Sequence, residues 1–413
     1  MYFDLPFDDL SSIADKDYVI ATYLAFGIDG ADALKKAGQF ATGQSVGTWL
    51  PLPGVTRDMV ENWQARVLSL YSVSEGICVL RVAFPHHNFA SSFAMMITAL
   101  VGNDVSTALR IKLIDLELTP KALCGYGGPK QGIEGFRKAT GVYGRPIVLN
   151  MIKPCIGFTP EHGARLFFES GLGGVDMIKD DEVFGNTQIS SVAGRLKAYQ
   201  AAAKSVMEHT GNLPIYIANI TDTPKRMRDH AKTAIGEGAK AVMVNFVSTG
   251  IDALRELTDE FGGSLCFLAH YAGAGMLNSP NLGIAGNVLI GVLARLAGAD
   301  SVMTMTAAGD LKLMLECIQT VQKHKLPMGG LKPVMTSLGG GVTPLSVKSI
   351  TETFGKDIIL GVGGAVQGHP MGTTAGAKAV MQALSAAMEG RELCEAAQTS
   401  PEIAAAIDAW QPQ

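Results

Sequence analysis

The segment GGVDMIKDDE (173–182) carries the side chains of this chain whose types and spacing best suit catalysis. Alternate residues of a strand face the same side, so Lys179 and Asp181 are predicted to point together, with Glu182 at the rim. Two neighbouring carboxylates suit a hard cation bound through oxygen, typically Mg²⁺. The lysine has two interpretations. It is either a cation in a structural ion pair, or a neutral amine that reacts with CO2 to form a carbamate, a third anionic oxygen ligand.

The elements that position these residues are indicated by the second part of the chain. Short runs rich in Val, Ile and Met alternate with amphipathic stretches over about 270 residues. There are eight runs: 147–154, 174–181, 215–221, 241–247, 265–271, 301–305, 333–339 and 358–364. This alternation predicts a (β/α)8 TIM barrel, with an open doubly wound sheet as the alternative.

In such a barrel, function lies at the C-terminal ends of the strands. The predicted ends are polar or glycine-rich: Lys153; Lys179, Asp181 and Glu182; Asn219; Asn245; His270; Thr304 and Thr306; Gly339 to Gly341; and Gly363 and Gly364.

The two parts of the chain predict different architectures within one α/β fold. Residues 1–140 are predicted to form an N-terminal α+β domain with strands at 18–26, 77–85 and 111–119. Residues 141–413 are predicted to form the barrel with C-terminal helices, of which 373–396 is expected to be one helix.

The composition excludes several classes of protein. Of 413 residues, 47% are hydrophobic and 17% charged, which excludes a long disordered chain and favours an oligomer with large buried faces. A net charge of −4 without a basic stripe excludes nucleic-acid binding. The start MYFDLPFDDL lacks a basic signal region, no apolar stretch is long enough for a membrane span, and six cysteines lack CxxC spacing. We therefore expect a cytoplasmic protein with reduced thiols.

The motif GGVDMIKDDE resembles the activation motif of the ribulose bisphosphate carboxylase (RuBisCO) superfamily. Four further segments resemble motifs of that family in the same order: GTW (47–49), VGND (101–104), IKP (152–154) and GVGGAVQGHPMG (361–372). The resemblance extends over nearly the whole chain.

The resemblance implies a role for each matching residue. Lys179 would be carbamylated and would hold Mg²⁺ together with Asp181 and Glu182, and Lys153 would transfer protons. The resemblance also implies a homodimer, in which the remaining two residues, Asn103 and Thr48, reach the active site of the partner subunit.

Departures from the family pattern argue against CO2 fixation. The lysine that holds the incoming carboxylate in true carboxylases falls at Asp310, with Lys312 two residues further on. The second lysine after the first barrel strand is replaced by Cys155, and the glutamate upstream of GTW falls at Gly43. The pattern is therefore that of a RuBisCO-like protein (form IV).

The two phosphate pockets of the family are retained unequally. One survives, because Gly341, Gly363 and Gly364 can present backbone N–H groups to an anion. The arginine, histidine and serine positions of the other are occupied by Tyr271, Met303 and Gly339. A bisphosphate needs binding groups at both ends, so we predict a substrate with one phosphate.

These observations predict Mg²⁺-dependent enolisation of a monophosphorylated ketose or sugar acid, leading to isomerisation, decarboxylation or C–C cleavage. The catalytic candidates are Lys153, Lys179 and His270, and a lysine base needs a lowered pKa. One alternative is the 2,3-diketo-5-methylthiopentyl-1-phosphate enolase of methionine salvage, although its base aligns with Cys124, three residues after Lys121. Another is a metal-free binding protein without turnover.

Overall fold

The computed structural model describes residues 7–27, 32–48, 52–103, 110–306 and 311–410. Its strands are β1 (Tyr18–Phe26), β2 (Arg66–Ser74), β3 (Ile77–Pro85), β4 (Arg110–Leu118), β5 (Ile147–Met151), β6 (Met177–Lys179), β7 (Ile215–Asn219), β8 (Ala241–Asn245), β9 (Cys266–His270), β10 (Gly283–Ile284), β11 (Ser301–Met305), β12 (Met335–Gly339) and β13 (Ile358–Val362).

The helices of the first part are Leu10–Ile13, Asp32–Gly43, Arg57–Trp63, His86–Asn88, Phe93–Leu100, Pro120–Leu123 and Gly132–Thr140. Those around the barrel are Pro160–Leu172, Val192–Thr210, Pro224–Gly236, Phe246–Thr249, Ile251–Phe261, Ala274–Leu277, Asn287–Leu293, Ala294–Leu296, Leu311–Lys325, Pro344–Ser346, Val347–Phe354 and Gly364–Gln367. The chain ends with Thr373–Met388, Leu393–Ala397 and Pro401–Trp410. None of the helices described here combines the length and the hydropathy needed to cross a membrane.

Eight parallel strands close into a barrel in the order β5-β6-β7-β8-β9-β11-β12-β13. Each of them overlaps one of the eight runs seen in the sequence, so the predicted α/β barrel is confirmed and the open sheet is wrong. The runs are apolar throughout because both faces of each strand are buried, one inside the barrel and one under the helices.

The alternation of side chains along these strands determines which residues reach the mouth. Met177, Ile217 and Met243 pack together in a cluster inside the barrel, whereas Ile178 and Val242 belong to the cluster under the helices. Continuing the inward series by two residues leads to the strand ends Lys179, Asn219, Asn245 and, on β9, His270. Four consecutive strands therefore end with an inward polar side chain.

The strands of the first part form a mixed sheet that is joined at one edge by β10 from the second part, in the order β10-β4-β1-β3-β2. The strands β1, β3 and β4 match the sequence prediction, while β2 was missed because its second half is exposed. The two-residue β10, which pairs in parallel with β4, was also missed. The domain boundary at residue 140 stays a prediction.

The C-terminal segment departs from the single helix predicted for 373–396. The helix ends at Met388, and Gly390 follows with φ 72°, a left-handed conformation that ends helices. A new helix begins at Leu393 with a capping box formed by Glu392 and Glu395.

Candidate active site

Lys179 lies at the end of β6 and is completely buried. Its Nζ donates a hydrogen bond to the backbone oxygen of Asp180 at 2.8 Å. Burial lowers the pKa of Lys179 to about 8, although the charges of Glu182 and Asp181 oppose this shift. At neutral pH a much larger fraction of this amine is therefore uncharged than in an ordinary lysine.

Asp181 is paired with a different lysine. Lys153, two residues after β5, places Nζ 2.5 Å from Asp181 Oδ2 and 3.0 Å from Cys155 Sγ. Among the described residues, Lys153 is the salt-bridge partner of Asp181, and Lys179 forms no salt bridge. The structural ion pair considered for Lys179 is therefore formed by Lys153 instead.

The pKa of Lys153 also differs from the expectation. We expected burial to depress it, as a lysine base requires. Burial does lower it, but the hydrogen bonds and charges of Asp181 and Cys155 outweigh burial, so the pKa of Lys153 lies above its usual value. In this state Lys153 is an ammonium group, and the lysine with the lowered pKa is Lys179.

Glu182 lies at the rim and is held through its backbone. The side-chain amides of Asn219 and Asn245 donate to its carbonyl oxygen at 3.0 and 2.8 Å. Its carboxylate, about 35% exposed, lies 3.6 Å from His270 Nε2. The sequence placed both asparagines at strand ends without giving them a role; their position after β7 and β8 was the available signal.

His270 is a buried, neutral imidazole. Burial, followed by the charge of Lys179, lowers its pKa to about 3. Its Nδ1 accepts a hydrogen bond from the backbone N–H of Ala272 at 3.2 Å, so the ring proton lies on Nε2, facing Glu182. Tyr271 stacks on the ring with a centroid distance of 5.0 Å.

The glycine loop after β13 lies next to Lys153, and a second glycine loop follows β12. Gly341 has φ 73°, and neither it nor Gly364 would bring an added Cβ within 4 Å of another atom, so the backbone there faces open space. An added Cβ at Gly363 would lie 3.3 Å from Lys153 Cε. The predicted phosphate loop and the candidate proton-transfer lysine are therefore adjacent.

The pocket predicted to be lost is filled by apolar side chains. Met303 is 2% exposed, and its methyl group would lie 2.3 Å from a Cβ added at Gly339. Met305, two residues further along at the end of β11, is 47% exposed at the rim.

For the remaining predicted residues, the described structure shows no place at the mouth of this chain. Asp310 lies outside the described residues. The roles of Thr48 and Asn103 in a partner's site stay predictions. Lys121 is exposed in the helix Pro120–Leu123, and Leu123 packs against Gly329, which precedes β12 and so lies at the end opposite the mouth.

The side chains present fit a magnesium ion only under one condition. Within the described residues, no three His, Cys, Asp or Glu side chains converge to hold a metal. Asp181 and Glu182 supply two carboxylates, so a third anionic oxygen would have to come from a carbamate on Lys179. A buried amine with a lowered pKa fits this modification, and the buried Asn245 Oδ1 has no hydrogen-bond partner in the described structure.

Two family models match the chain. The N-terminal domain of the ribulose bisphosphate carboxylase large chain matches residues 6–123, and its catalytic domain matches residues 132–410. The chain belongs to the ribulose bisphosphate carboxylase large-chain family. The resemblance of the motifs to this family is therefore confirmed, and the fold is that of its members.

Relatives in this family carry different names. A ribulose bisphosphate carboxylase-like protein of Archaeoglobus fulgidus is 34% identical over 92% of this chain and 89% of its own length. A 2,3-diketo-5-methylthiopentyl-1-phosphate enolase of Exiguobacterium sibiricum is 31% identical over 95% and 98%. The dimeric archaeal RuBisCO of Hyperthermus butylicus has a TM-score of 0.89 at 31% identity, covering 98% of this chain and 99% of that one. Enolase-type chemistry thus occurs within the family.

Proposed function

We propose that this protein is a Mg²⁺-dependent enzyme that enolises a monophosphorylated ketose or sugar acid and does not fix CO2. The observation that carries the proposal is the contrast between the two mouth lysines. Lys179 is a buried amine with a lowered pKa beside two carboxylates, and Lys153 is an ammonium group at the same rim. A decayed binding protein would have no need for this arrangement.

The residues that would hold Mg²⁺ are Lys179 as its carbamate, Asp181 and Glu182. The ion would act as a Lewis acid that polarises the substrate carbonyl and so makes the neighbouring C–H acidic. His270, neutral and with its proton on Nε2, would orient the Glu182 carboxylate or donate to a substrate oxygen.

Lys153 Nζ is the candidate group for proton transfer. Its side chain is 34% exposed, so it can meet a substrate, and its stem lies against Gly363. In the arrangement seen here it is charged and can donate a proton to the enolate carbon or oxygen. The base that removes the first proton is either Lys153 after losing its proton or the carbamate oxygen of Lys179.

The glycine loops support a substrate with a single phosphate. Backbone N–H groups at Gly341, Gly363 and Gly364 would receive the phosphate close to Lys153. The positions of the lost pocket offer the ring of Tyr271 and the side chain of Met303, so the other end of the substrate would be smaller or less charged.

The salvage enolase is the second candidate, and it is favoured by the name of the relative from Exiguobacterium sibiricum. The sequence counts against it, since its base aligns with Cys124 and Lys121 lies three residues earlier. A homodimer with shared sites is proposed as well, with Thr48 and Asn103 reaching the partner subunit. The name of the dimeric RuBisCO structure supports the dimer.

The test is deuterium uptake, followed by proton NMR in D2O on a panel of phosphorylated ketoses and sugar acids with Mg²⁺ and bicarbonate. We expect at least one compound to exchange its α-proton with wild type, and the exchange to stop on addition of EDTA. The diketo phosphate is included, so that turnover of that compound alone would assign the salvage enolase. Exchange that persists in EDTA would contradict the proposal.

A further inference from the structure

A buried cluster lies directly behind Asp181 and Glu182, the acidic pair, on the helix side of β6. Asp180 points away from the mouth, because alternate residues of a strand face opposite sides. Its Oδ2 accepts hydrogen bonds from Tyr216 Oη at 2.7 Å, from the backbone N–H of Asn219 at 3.0 Å and from Arg195 Nε at 3.1 Å. The side chains of Asp180 and Arg195 are 1% and 0% exposed.

Arg195 also holds the chain beyond the acidic pair. Its guanidinium donates to the backbone oxygens of Phe184, Gly185 and Ser190 at 3.3, 3.1 and 2.6 Å. The guanidinium carbon lies 4.1 Å from the centroid of the Phe184 ring. One buried cation therefore contacts the chain at residue 180, before the pair, and at residue 184, after it.

We propose that Arg195 and Tyr216 are positioning residues for the Mg²⁺ ligands Asp181 and Glu182. With Asp180 and Phe184 both fixed, the turn between them has little freedom, and the two carboxylates keep the orientation that binds the ion. The inference rests on the proposed function. Groups that orient metal ligands typically account for about 10–100-fold in metal affinity.

The chain offers a matched pair of variants for the test. Tyr199 and Tyr216 are both buried, and their ring centroids are 4.5 Å apart. Tyr216 Oη donates to Asp180, whereas Tyr199 Oη has no hydrogen-bond partner in the described structure. The substitutions Tyr216→Phe and Tyr199→Phe thus remove the same atom from the same layer, and only the first touches the positioning contact.

The measurement is Mg²⁺ binding by isothermal titration calorimetry in bicarbonate buffer, with thermal unfolding measured alongside. We expect Tyr216→Phe to weaken Mg²⁺ binding by about 10–100-fold and Tyr199→Phe to bind as wild type does. In turnover, Tyr216→Phe should raise the Mg²⁺ concentration needed for half-maximal rate, while kcat recovers at saturating Mg²⁺. A purely structural role would instead lower the thermal midpoint without this split.

If Tyr216→Phe does not fold, Phe184→Leu serves as a second variant, and it also leaves the charges of the cluster unchanged. It removes the ring under Arg195 and leaves the backbone carbonyl, and we expect weaker Mg²⁺ binding from it as well. Wild-type affinity in both Tyr216→Phe and Phe184→Leu would overturn the inference and leave the proposed function standing. A wild-type protein that binds no Mg²⁺ in bicarbonate would overturn both.

Discussion

The two halves of the barrel mouth differ in the groups with which their strands end. The charged half, from β5 to β9, presents Lys153, Lys179, Asn219, Asn245 and His270. The glycine half, from β11 to β13, presents Met305 and the glycines at 339–341 and 363–364. Side chains that can move protons or hold a cation thus lie on one side, and backbone donors suited to an anion lie on the other.

Within the charged half, two lysines illustrate how environment determines protonation. Lys179 is fully buried and forms no salt bridge among the described residues, and its pKa falls to about 8. Lys153 is partly exposed and paired with Asp181, and its pKa rises. The same residue type therefore has two different protonation states in two environments that both feel the charge of Asp181.

The largest effect is expected from Lys153→Met, which would remove the candidate proton-transfer group Lys153 from the charged half. The methionine keeps much of the stem that packs near Gly363 but lacks the ammonium group. We expect α-proton exchange to fall by about 10²–10⁴-fold, the usual contribution of a general acid or base. The control is Lys130→Met, because Lys130 also pairs with an aspartate, Asp259, at 2.7 Å, away from the mouth. Equal rates in the two variants would refute the role of Lys153.

A pH titration sharpens the contrast between the lysines. Only a neutral amine reacts with CO2, so activation by bicarbonate and Mg²⁺ should rise as pH increases towards about 8, the lowered pKa of Lys179. Below that value it should fall about tenfold per pH unit. The measurement is the initial rate of activation at constant dissolved CO2. An activation rate that does not change over this range would contradict the assignment.

The same lowered pKa has a consequence for stability. Between about pH 8 and 10.5 the unfolded chain binds more protons at Lys179 than the folded chain does. The contribution of this residue to the free energy of unfolding therefore rises as pH increases through that window. Urea unfolding of wild type and Lys179→Met across this pH window measures the contribution. A difference between their free energies of unfolding that stays constant with pH would be inconsistent with the lowered pKa.

In the glycine half, Gly341→Ala should weaken phosphate binding. Gly341 has φ 73°, and a left-handed conformation costs a residue with a Cβ about 1–2 kcal/mol. We expect KM for the phosphorylated substrate to rise by about tenfold, which corresponds to about 1.4 kcal/mol and lies within that range, with a smaller change in kcat. Gly211→Ala, at φ 75° after the helix Val192–Thr210, carries the same strain away from the mouth and should leave KM unchanged. A similar KM in both variants would refute the phosphate loop.

The smallest effect is expected from Cys155→Ser. The serine hydroxyl can replace the sulfur as the acceptor for Lys153 Nζ, now at 3.0 Å. A hydrogen bond from a charged group is worth about 1.5–3 kcal/mol, and serine retains it. Exchange rates close to wild type are therefore expected. A loss as large as that of Lys153→Met would make Cys155 a reacting group.

The barrel could be predicted from the sequence because the pattern that indicates it is local and repeated. Each strand is a short apolar run, and the period of two already predicts that Lys179 and Asp181 face the mouth together. The pairing of Lys153 with Asp181 was not predictable in this way, since it depends on two different strands, β5 and β6, meeting in space.

The buried cluster of Asp180, Arg195 and Tyr216 behind β6 could not be predicted from the sequence for the same reason. Asp180 reads as one more acid in the run KDDE, and Arg195 as one more cation on an amphipathic helix. Only the packing of the helix Val192–Thr210 against the barrel brings them to 3.1 Å. Of the features that were missed, β10 and the break at Gly390 involve segments too short to show a period, whereas β2 has an exposed second half.

The carbamate on Lys179 is the most direct test of the charged half. The measurement is carbon-13 NMR of the protein after incubation with ¹³C-bicarbonate and Mg²⁺. The account predicts a carbamate carbon signal in wild type and in Lys153→Met that is lost in Lys179→Ala. A wild type without the signal, or a signal that survives in Lys179→Ala, would contradict it.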